Sequence, residues 1–339
     1  MTPPVFELIV EPELRGVRID SFLAKHFRNY SQWRLSRMVR CGCASVNGAP
    51  ADETRRVFPG EAVRLSLVEP PDKLLNAESR ELPVYYVDPW MLVVDKPAGM
   101  IAHPTGEYQS GTLANILQSY FDQKTPLRGL VRPGIVHRLD RHTSGLMVVA
   151  AHHLSHRHLA SAFEAGRVAK TYVALVEGVM PRDTGVIDLP IGRAREGRLV
   201  LMSARGDAVD AKPSKTSYRV LRRFAEHTMV ECRPATGRNH QIRVHLSQIG
   251  HPLIGDEFYM AHGAIRPLNP DWIPVAPEDF DANFVDEIET GFPIRRHALH
   301  AMKLELAHPI SGLWMTFQSI LPPDFQATID VLSDGASVS

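Results

Sequence analysis

GIVHRLDRHTSGLMVVA, residues 134–150, reads as strand, polar turn, strand. In an extended Ile135–Asp140 the two-residue period puts Ile135, His137 and Leu139 on one face and Val136, Arg138 and Asp140 on the other. A carboxylate and a guanidinium then share a side. Arg141 to Gly145 sustains neither period and Gly145 frees the backbone, after which Leu146 to Val149 resumes as a buried apolar strand. Asp140 thereby stands at a strand end beside a turn, where a rigid scaffold presents reactive groups. The alternative reading is an Arg138–Asp140 ion pair that closes a hairpin edge.

Upstream, Val84 to Val87 and Met91 to Val94 flank Asp88-Pro89-Trp90 as a hairpin, Lys96 to Gly99 is a loop, and Thr112 caps a helix whose Leu113, Ile116, Leu117 and Tyr120 are core. Downstream, His152 and His156 have the four-residue spacing of a helical metal pair. No carboxylate or third ligand follows at a recognisable spacing, so an exposed or RNA-facing histidine cluster is the expectation, and no metal. Lys170 to Val176 reads as a strand with Tyr172 near its start, an aromatic that is core by default. Gln241 to Leu246 alternates, which predicts a strand with Ile242, Val244 and Leu246 inward and Gln241, Arg243 and His245 opposite; Thr236 to His240 before it is a polar turn. Met302 to Ala307 and Leu313 to Ile320 read as closing strands, and Pro323 to Leu332 as a terminal helix.

The 339 residues, 44% hydrophobic and 22% charged, suit a soluble chain of about two domains. An acidic N-terminus without a basic region, and no apolar stretch of bilayer length, predict neither secretion nor membrane insertion. Cys41, Cys43 and Cys232 are too few for a disulfide framework, and one Cys-x-Cys lacks the second pair of a zinc knuckle, so a cytoplasmic location is expected.

A formal net charge of zero hides an asymmetry. Residues 15–64 hold ten Arg and Lys against four Asp and Glu, whereas 261–293 hold one Arg against seven acids. Only the first block attracts phosphate. Within it, Ile19, Phe22, Leu23 and Phe27 recur at helical spacing, and Ser31 caps a second helix with Leu35, Met38 and Val39 as its apolar stripe. Arg34, Arg37 and Arg40 recur every third residue along that helix, a basic stripe that faces RNA or is simply solvated. A strand from Ala44 then enters an Asn47-Gly48 turn and returns near Val63 to Val68. Residues 69–83 read as a linker and 261–293 as an acidic surface insertion.

HRLDRHTSG resembles the signature of the RluA-type RNA pseudouridine synthases, and further segments agree with it in order: DKPAGMIAHP from Asp95, KTYVALVEG from Lys170, GRNHQIRVHL from Gly237, GHPLIGD from Gly250 and ALHAMKLELAHP from Ala298. Six matches in sequence are specific where one is not. Residues 1–68 are similar to the small RNA-binding module named for ribosomal protein S-four, through R-I-D-x-F-L, the Arg-bearing helix and V-N-G; Trp33 and Cys43 are less usual there. The resemblance implies an α+β fold, with a mixed, largely antiparallel central sheet, flanking helices and a catalytic cleft over 84–332, preceded by the small α/β RNA-binding domain and followed by a tail at 333–339.

It also implies the reaction, isomerisation of uridine in RNA to pseudouridine without cofactor or metal. By motif match Asp140 is the catalytic carboxylate, Arg243 its ion-pair partner, and Tyr172 the aromatic that stacks on the target base and relays a proton. Arg138 would fill the space left by a flipped-out base. His137, Arg238, His240 and Gln241 are expected to bind substrate, with Arg34, Arg37 and Arg40 holding RNA from the module. Large-subunit ribosomal RNA is the favoured substrate, transfer RNA the second, and the protein is expected to act as a monomer. His142 stands where an acid is common and Asn239 where Thr or Ser is common, so loop detail is the part in doubt. The other readings are an RNA-binding assembly factor without catalysis and a nucleoside glycosidase, which would want a second acid.

Overall fold

The computed structural model describes residues 3–106, 108–125, 127–195, 201–266 and 290–334. Most of the acidic run expected at 261–293, and the last residues of the tail, lie outside the described residues.

The first unit is a four-stranded sheet under two helices. Strands β1 (Val5–Ile9), β2 (Ala44–Val46), β3 (Ala49–Pro50) and β4 (Ala62–Ser66) run in the order β1-β4-β2-β3, and helices α1 (Ile19–His26) and α2 (Gln32–Arg40) cover them. Ser31 caps α2 as its sequence predicts, its Oγ accepting the Arg34 N–H at 3.2 Å. Ile19, Phe22 and Leu23 meet Leu35, Met38 and Val39 over Val63 and Leu65, and all are buried. Asn47 and Gly48 both take positive φ, 51° and 82°, the backbone of the tight turn that joins β2 to β3.

The second unit is built on a sheet of order β10-β14-β15-β9-β16-β8-β6-β5, with β7 beside β8 and β17 beside β16. Its strands are β5 (Val84–Val87), β6 (Met91–Lys96), β7 (Gly134–Ile135), β8 (Ser144–Ala150), β9 (Ala169–Glu177), β10 (Thr184–Asp188), β14 (Lys215–Arg223), β15 (His227–Pro234), β16 (Leu299–Ala307) and β17 (Trp314–Gln318). A side sheet holds β11 (Ile191–Arg193), β12 (Met202–Ser203) and β13 (Val209–Lys212); the helices are α3 (Leu113–Asp122), α4 (His153–Glu164), α5 (Gln241–Gln248) and α6 (Pro323–Asp334). The predicted hairpin, the Thr112 cap, the closing strands and the terminal helix are all present. Every residue of β8 is buried, as its unbroken apolar run demands.

Pairing within this sheet is antiparallel except where β8 lies parallel to β16. That exception places the loop that carries Asp140. His300 of β16 stands opposite Ser144, the first residue of β8, and opposite Val173 of β9. The chain entering β8 is therefore level with Tyr172. The close approach explains Gly145: its φ is +120°, and a Cβ there would press on the Ala301 carbonyl oxygen and stand 2.6 Å from the Ala301 nitrogen. Gly145→Ala should lower unfolding stability by roughly 2–6 kcal/mol, since backbone strain and overpacking each cost about 1–3 kcal/mol. Chemical denaturation would measure it, and a midpoint unchanged from wild type would refute the account.

Two expectations are corrected. Gln241–Gln248 is a helix, not a strand: residues 241–247 are all buried, so no solvated stripe marks the helical period and the apolar residues mimic alternation. Only Gly134–Ile135 of the expected Ile135–Asp140 strand is extended pairing, and Val136 to Arg141 runs as loop.

The segment expected as a linker is strapped down. The Tyr30 hydroxyl donates to Glu69 O at 3.1 Å, the Lys73 N–H to Asn29 O at 2.9 Å, and the Glu78 N–H to Asn115 O at 3.1 Å. The two units also share packing. Leu127 and Leu130 sit against the core of the first, and the Asn29 amide donates to Gln118 Oε1 and Gly129 O at 3.2 and 2.9 Å.

Candidate active site

Between β9, the entry to β8 and the N-terminus of α5 lies a cleft of about 630 Å³, lined by Arg138, Asp140, Phe163, Lys170, Tyr172 and the turn from Thr236 to Arg243 among others. The loop that carries Asp140 is held from behind. Lys96, fully buried at the end of β6, donates to the carbonyls of Pro97, Met100 and Arg141 at 2.8, 2.9 and 3.1 Å. Arg296 donates to His142 O at 2.9 Å and to Ser144 Oγ at 3.3 Å while Asp324 holds its other edge at 2.8 and 3.2 Å. These buried donors fix the carbonyls of Arg141 and His142 and so hold the shape of the loop.

Asp140 meets Arg243 Nη1 at 3.4 Å, across 103 residues of sequence. It is not paired with Arg138, which is exposed at the cleft and ion-paired to no carboxylate among the described residues. The hairpin-edge alternative is thereby excluded. Arg243 is 2% exposed and its fork is shared: Asp256 takes Nε and Nη2 at 2.8 and 2.7 Å, and Glu257 takes Nη2 at 2.8 Å. Glu257 continues to His297 Nδ1 at 3.1 Å, His297 Nε2 to Thr143 Oγ1 at 2.8 Å, and the Thr143 N–H returns to Asp140 O at 3.1 Å. The ring closes on Asp140, so one network sets both its charge and its position.

Burial opposes ionisation of Asp140 most strongly, yet His240, Arg243 and His297 together hold its carboxyl below the usual range. His240 is itself pushed down to about 4 by burial and is neutral at pH 7. Arg243 is thus the permanent cation of the pair. Burial, and then the Asp140 charge, raise the Tyr172 phenol, which faces the cleft as a protonated hydroxyl. An ionised carboxylate and a neutral phenol therefore share one cavity, one able to attack or accept a proton, the other to stack and to donate.

The remaining expected site residues divide. Arg238 lines the cleft, with its Nε donating to Pro213 O at 3.2 Å. His240, in the left-handed region at φ 53°, begins α5 and bonds the Tyr259 hydroxyl at 2.7 Å. His137 lines the floor, but its Nε2 accepts the Val148 N–H at 3.0 Å and its ring stacks on Phe163 at 4.3 Å. Gln241 is buried and spends its amide on Thr236, Arg238, Lys215 and Thr216, which shapes the turn. Arg34, Arg37 and Arg40 lie on α2, away from the cleft, and pair with Glu69 and Asp72, with Glu69, and with Glu53. The stripe is thus partly neutralised from within the chain. Asp256, Glu257, Arg296, His297, Thr143 and Lys96 were not foreseen. Asp256 and Lys96 lie inside quoted motifs, and Arg296 and His297 just before one, but nothing local marks them as partners of Asp140.

Residues 90–248 match the sequence family described as RNA pseudouridylate synthase. Over 326 residues the chain is 35% identical to the uncharacterized RNA pseudouridine synthase YlyB of Bacillus subtilis, covering 96% of this chain and 97% of that one. It is 37% identical to the ribosomal large subunit pseudouridine synthase D of Nitrosomonas europaea, covering 96% and 87%. Among solved structures, human RNA pseudouridylate synthase domain containing 4 shares the fold, with a TM-score of 0.54, 24% identity, and coverage of 74% of this chain and 93% of that one.

Proposed function

The chain belongs to the RNA pseudouridine synthase family, and on that premise we propose that it isomerises uridines in large-subunit ribosomal RNA, with Asp140 as the reacting carboxylate. The observation that carries this reading is the ionised Asp140 in a cleft opposite Tyr172, held by a buried Arg243. The bond from ribose C1′ to N1 breaks, the base turns over, and C1′ bonds to C5, whose proton is ultimately exchanged for one at N1. Asp140 starts this either by attacking the sugar or by removing a sugar proton, and both routes need it charged. No redox change occurs, so no coenzyme is called for.

A uridine inside a helix cannot reach the carboxylate, so the nucleotide is extruded into the cleft, and Arg138 at its mouth takes the vacated position. Arg138, Lys170 and Arg238 line the cleft with positive charge that attracts the backbone. The first unit, similar to an S-four module, adds RNA affinity through the faces of α1 and α2. Its α2 arginines are engaged by Glu69, Asp72 and Glu53, so RNA phosphate would have to compete for them.

Ribosomal RNA is supported by the name of the Nitrosomonas relative, which shares 37% identity with this chain. Pseudouridine mapping across total RNA from cells with and without the protein tests it. Sites lost from large-subunit RNA are expected; loss confined to transfer RNA would transfer the assignment, and no loss would favour the assembly-factor reading.

Tyr172 separates two roles. Tyr172→Phe should leave RNA affinity near wild type and lower turnover by roughly 10²-fold, the low end for general acid–base help. Tyr172→Leu should in addition weaken binding by the stacking contribution of about 1–3 kcal/mol. Single-turnover kinetics with titrated enzyme distinguish them, and a Phe variant as fast as wild type would remove the hydroxyl from the chemistry.

A further inference from the structure

Glu11 follows β1, His26 ends α1, and His152 and His153 open α4; the fold brings all four together where the first unit meets the second. One donor atom from each lies within 4.8 Å of all the others. Glu11 Oε1 stands 3.5 Å from His26 Nε2 and 3.4 Å from His153 Nε2, and the side chains of these two histidines are 6% and 8% exposed. The rings crowd one another, with centroids 4.2 Å apart for His26 and His153 and 4.5 Å for His152 and His153.

The polar atoms here are unmatched. Among the described residues ten buried side-chain nitrogen or oxygen atoms find no hydrogen-bond partner, and four belong to this cluster: Glu11 Oε2, His26 Nε2 and both ring nitrogens of His153. No Lys or Arg among the described residues forms an ion pair with Glu11. A partly buried carboxylate with no Lys or Arg beside it and buried imidazole nitrogens that make no hydrogen bond are each costly, and one multivalent cation would satisfy them together. An imidazole ligates through the lone pair of a ring nitrogen, and the unbonded nitrogens of His26 and His153 leave those lone pairs unused.

From this convergence we propose that Glu11, His26, His152 and His153 form a binding site for a divalent first-row transition metal, zinc being the ion whose donor types and number they match. Four donors at about 2.0–2.2 Å from a tetrahedral ion would stand roughly 3.4 Å apart, so some of these must close in by about an ångström. His152 gives up one contact. Its Nδ1 accepts the Leu154 N–H at 3.3 Å, and whichever ring nitrogen meets the metal, Nδ1 then either uses its lone pair or carries a proton. The site is structural in kind: it would pin the first unit to α4, which follows the strand that leaves the Asp140 loop. This inference is independent of the chemistry assigned to Asp140.

The test uses the full-length protein, stripped with a chelator and titrated with Zn2+ by calorimetry and with Co2+ by visible absorption. About one equivalent should bind, with the Co2+ bands of a tetrahedral site and a zinc absorption edge showing nitrogen and oxygen neighbours only. His26→Gln and His153→Gln should each weaken Zn2+ binding at least tenfold, while His156→Gln, outside the cluster, leaves it unchanged. No uptake by wild type, sulfur in the coordination shell (which would put the ion at Cys41 and Cys43), or folded His26 and His153 variants that bind as wild type would each overturn the proposal. Should those variants not fold, the coordination shell of the wild-type protein decides alone.

Discussion

Asp140→Asn should abolish pseudouridine formation, with a fall of roughly 10³-fold or more, while RNA affinity stays close to wild type and the protein stays folded. The amide is isosteric and still accepts a hydrogen bond from Arg243, so the loop clamped by Lys96, Arg296 and Thr143 has no reason to move. What disappears is the negative charge of the carboxylate. Asp140→Glu should also fail, because an extra methylene displaces the carboxylate in a loop fixed at its backbone. Because Asp140 titrates below its ordinary value of 3.8, its ionised form persists through mildly acid pH, and the activity it supports is lost only as pH falls through the folded value. The stability its pairing contributes follows the same sign, present above the unfolded pKa and lost on further acidification. Tritium release from C5-labelled uridine in RNA reads the reaction directly, and turnover by the Asn variant within tenfold of wild type would remove Asp140 from the mechanism.

Arg243→Met should cost both stability and activity. Asp140, Asp256 and Glu257 converge on this one guanidinium, so removing it leaves three carboxylates facing one another with little water. Breaking a buried pair in this way costs about 3–5 kcal/mol. Without the cation, burial governs Asp140 and raises its carboxyl, so the acid limb of any residual activity moves upward. Arg243→Lys should fall between, since an ammonium cannot fork onto Asp256 while also reaching Asp140 and Glu257. Adding Asp256→Asn to Arg243→Met relieves repulsion and should recover part of the stability but none of the turnover. Denaturant titration and single-turnover rates on the same variants separate the two effects, and an Arg243→Met protein of wild-type activity would show that Asp140 needs no counter-ion.

Much of this was legible in local chemistry. Ser31 and Thr112 announce helix starts because a hydroxyl at that position satisfies an otherwise orphaned N–H. The apolar run of β8 announces a buried strand, and the polar, glycine-bearing turn before it marks where Asp140 sits. The register of β8 on β16 then gives Gly145 its reason, which the motif alone does not. Gln241–Gln248 misleads for a definite cause. Period-based reading depends on one wet face, and this helix has none over residues 241–247.

The histidine pair shows the same limit from the other side. His152 and His156 have helical metal spacing, yet His156 is outside the cluster, and the partners of His152 are its neighbour His153 and two residues from the first unit, more than a hundred positions earlier. Spacing along one helix cannot announce donors that other elements deliver.

From its sequence alone this protein determined the buried strand β8, the hairpin before it, the helix caps at Ser31 and Thr112, the polar turn beside Asp140 and, by ordered motifs, its family. Those properties depend on residues within a turn or two of one another. Only the tertiary structure decided that Arg243 is aimed by Asp256 and Glu257, that His297 and Thr143 close the ring on Asp140, and that Glu11 and His26 arrive beside His152 and His153. Each of these depends on sheet register and helix packing between distant segments, and a pattern of hydrophobic periods records which side of an element is buried without recording what it is buried against.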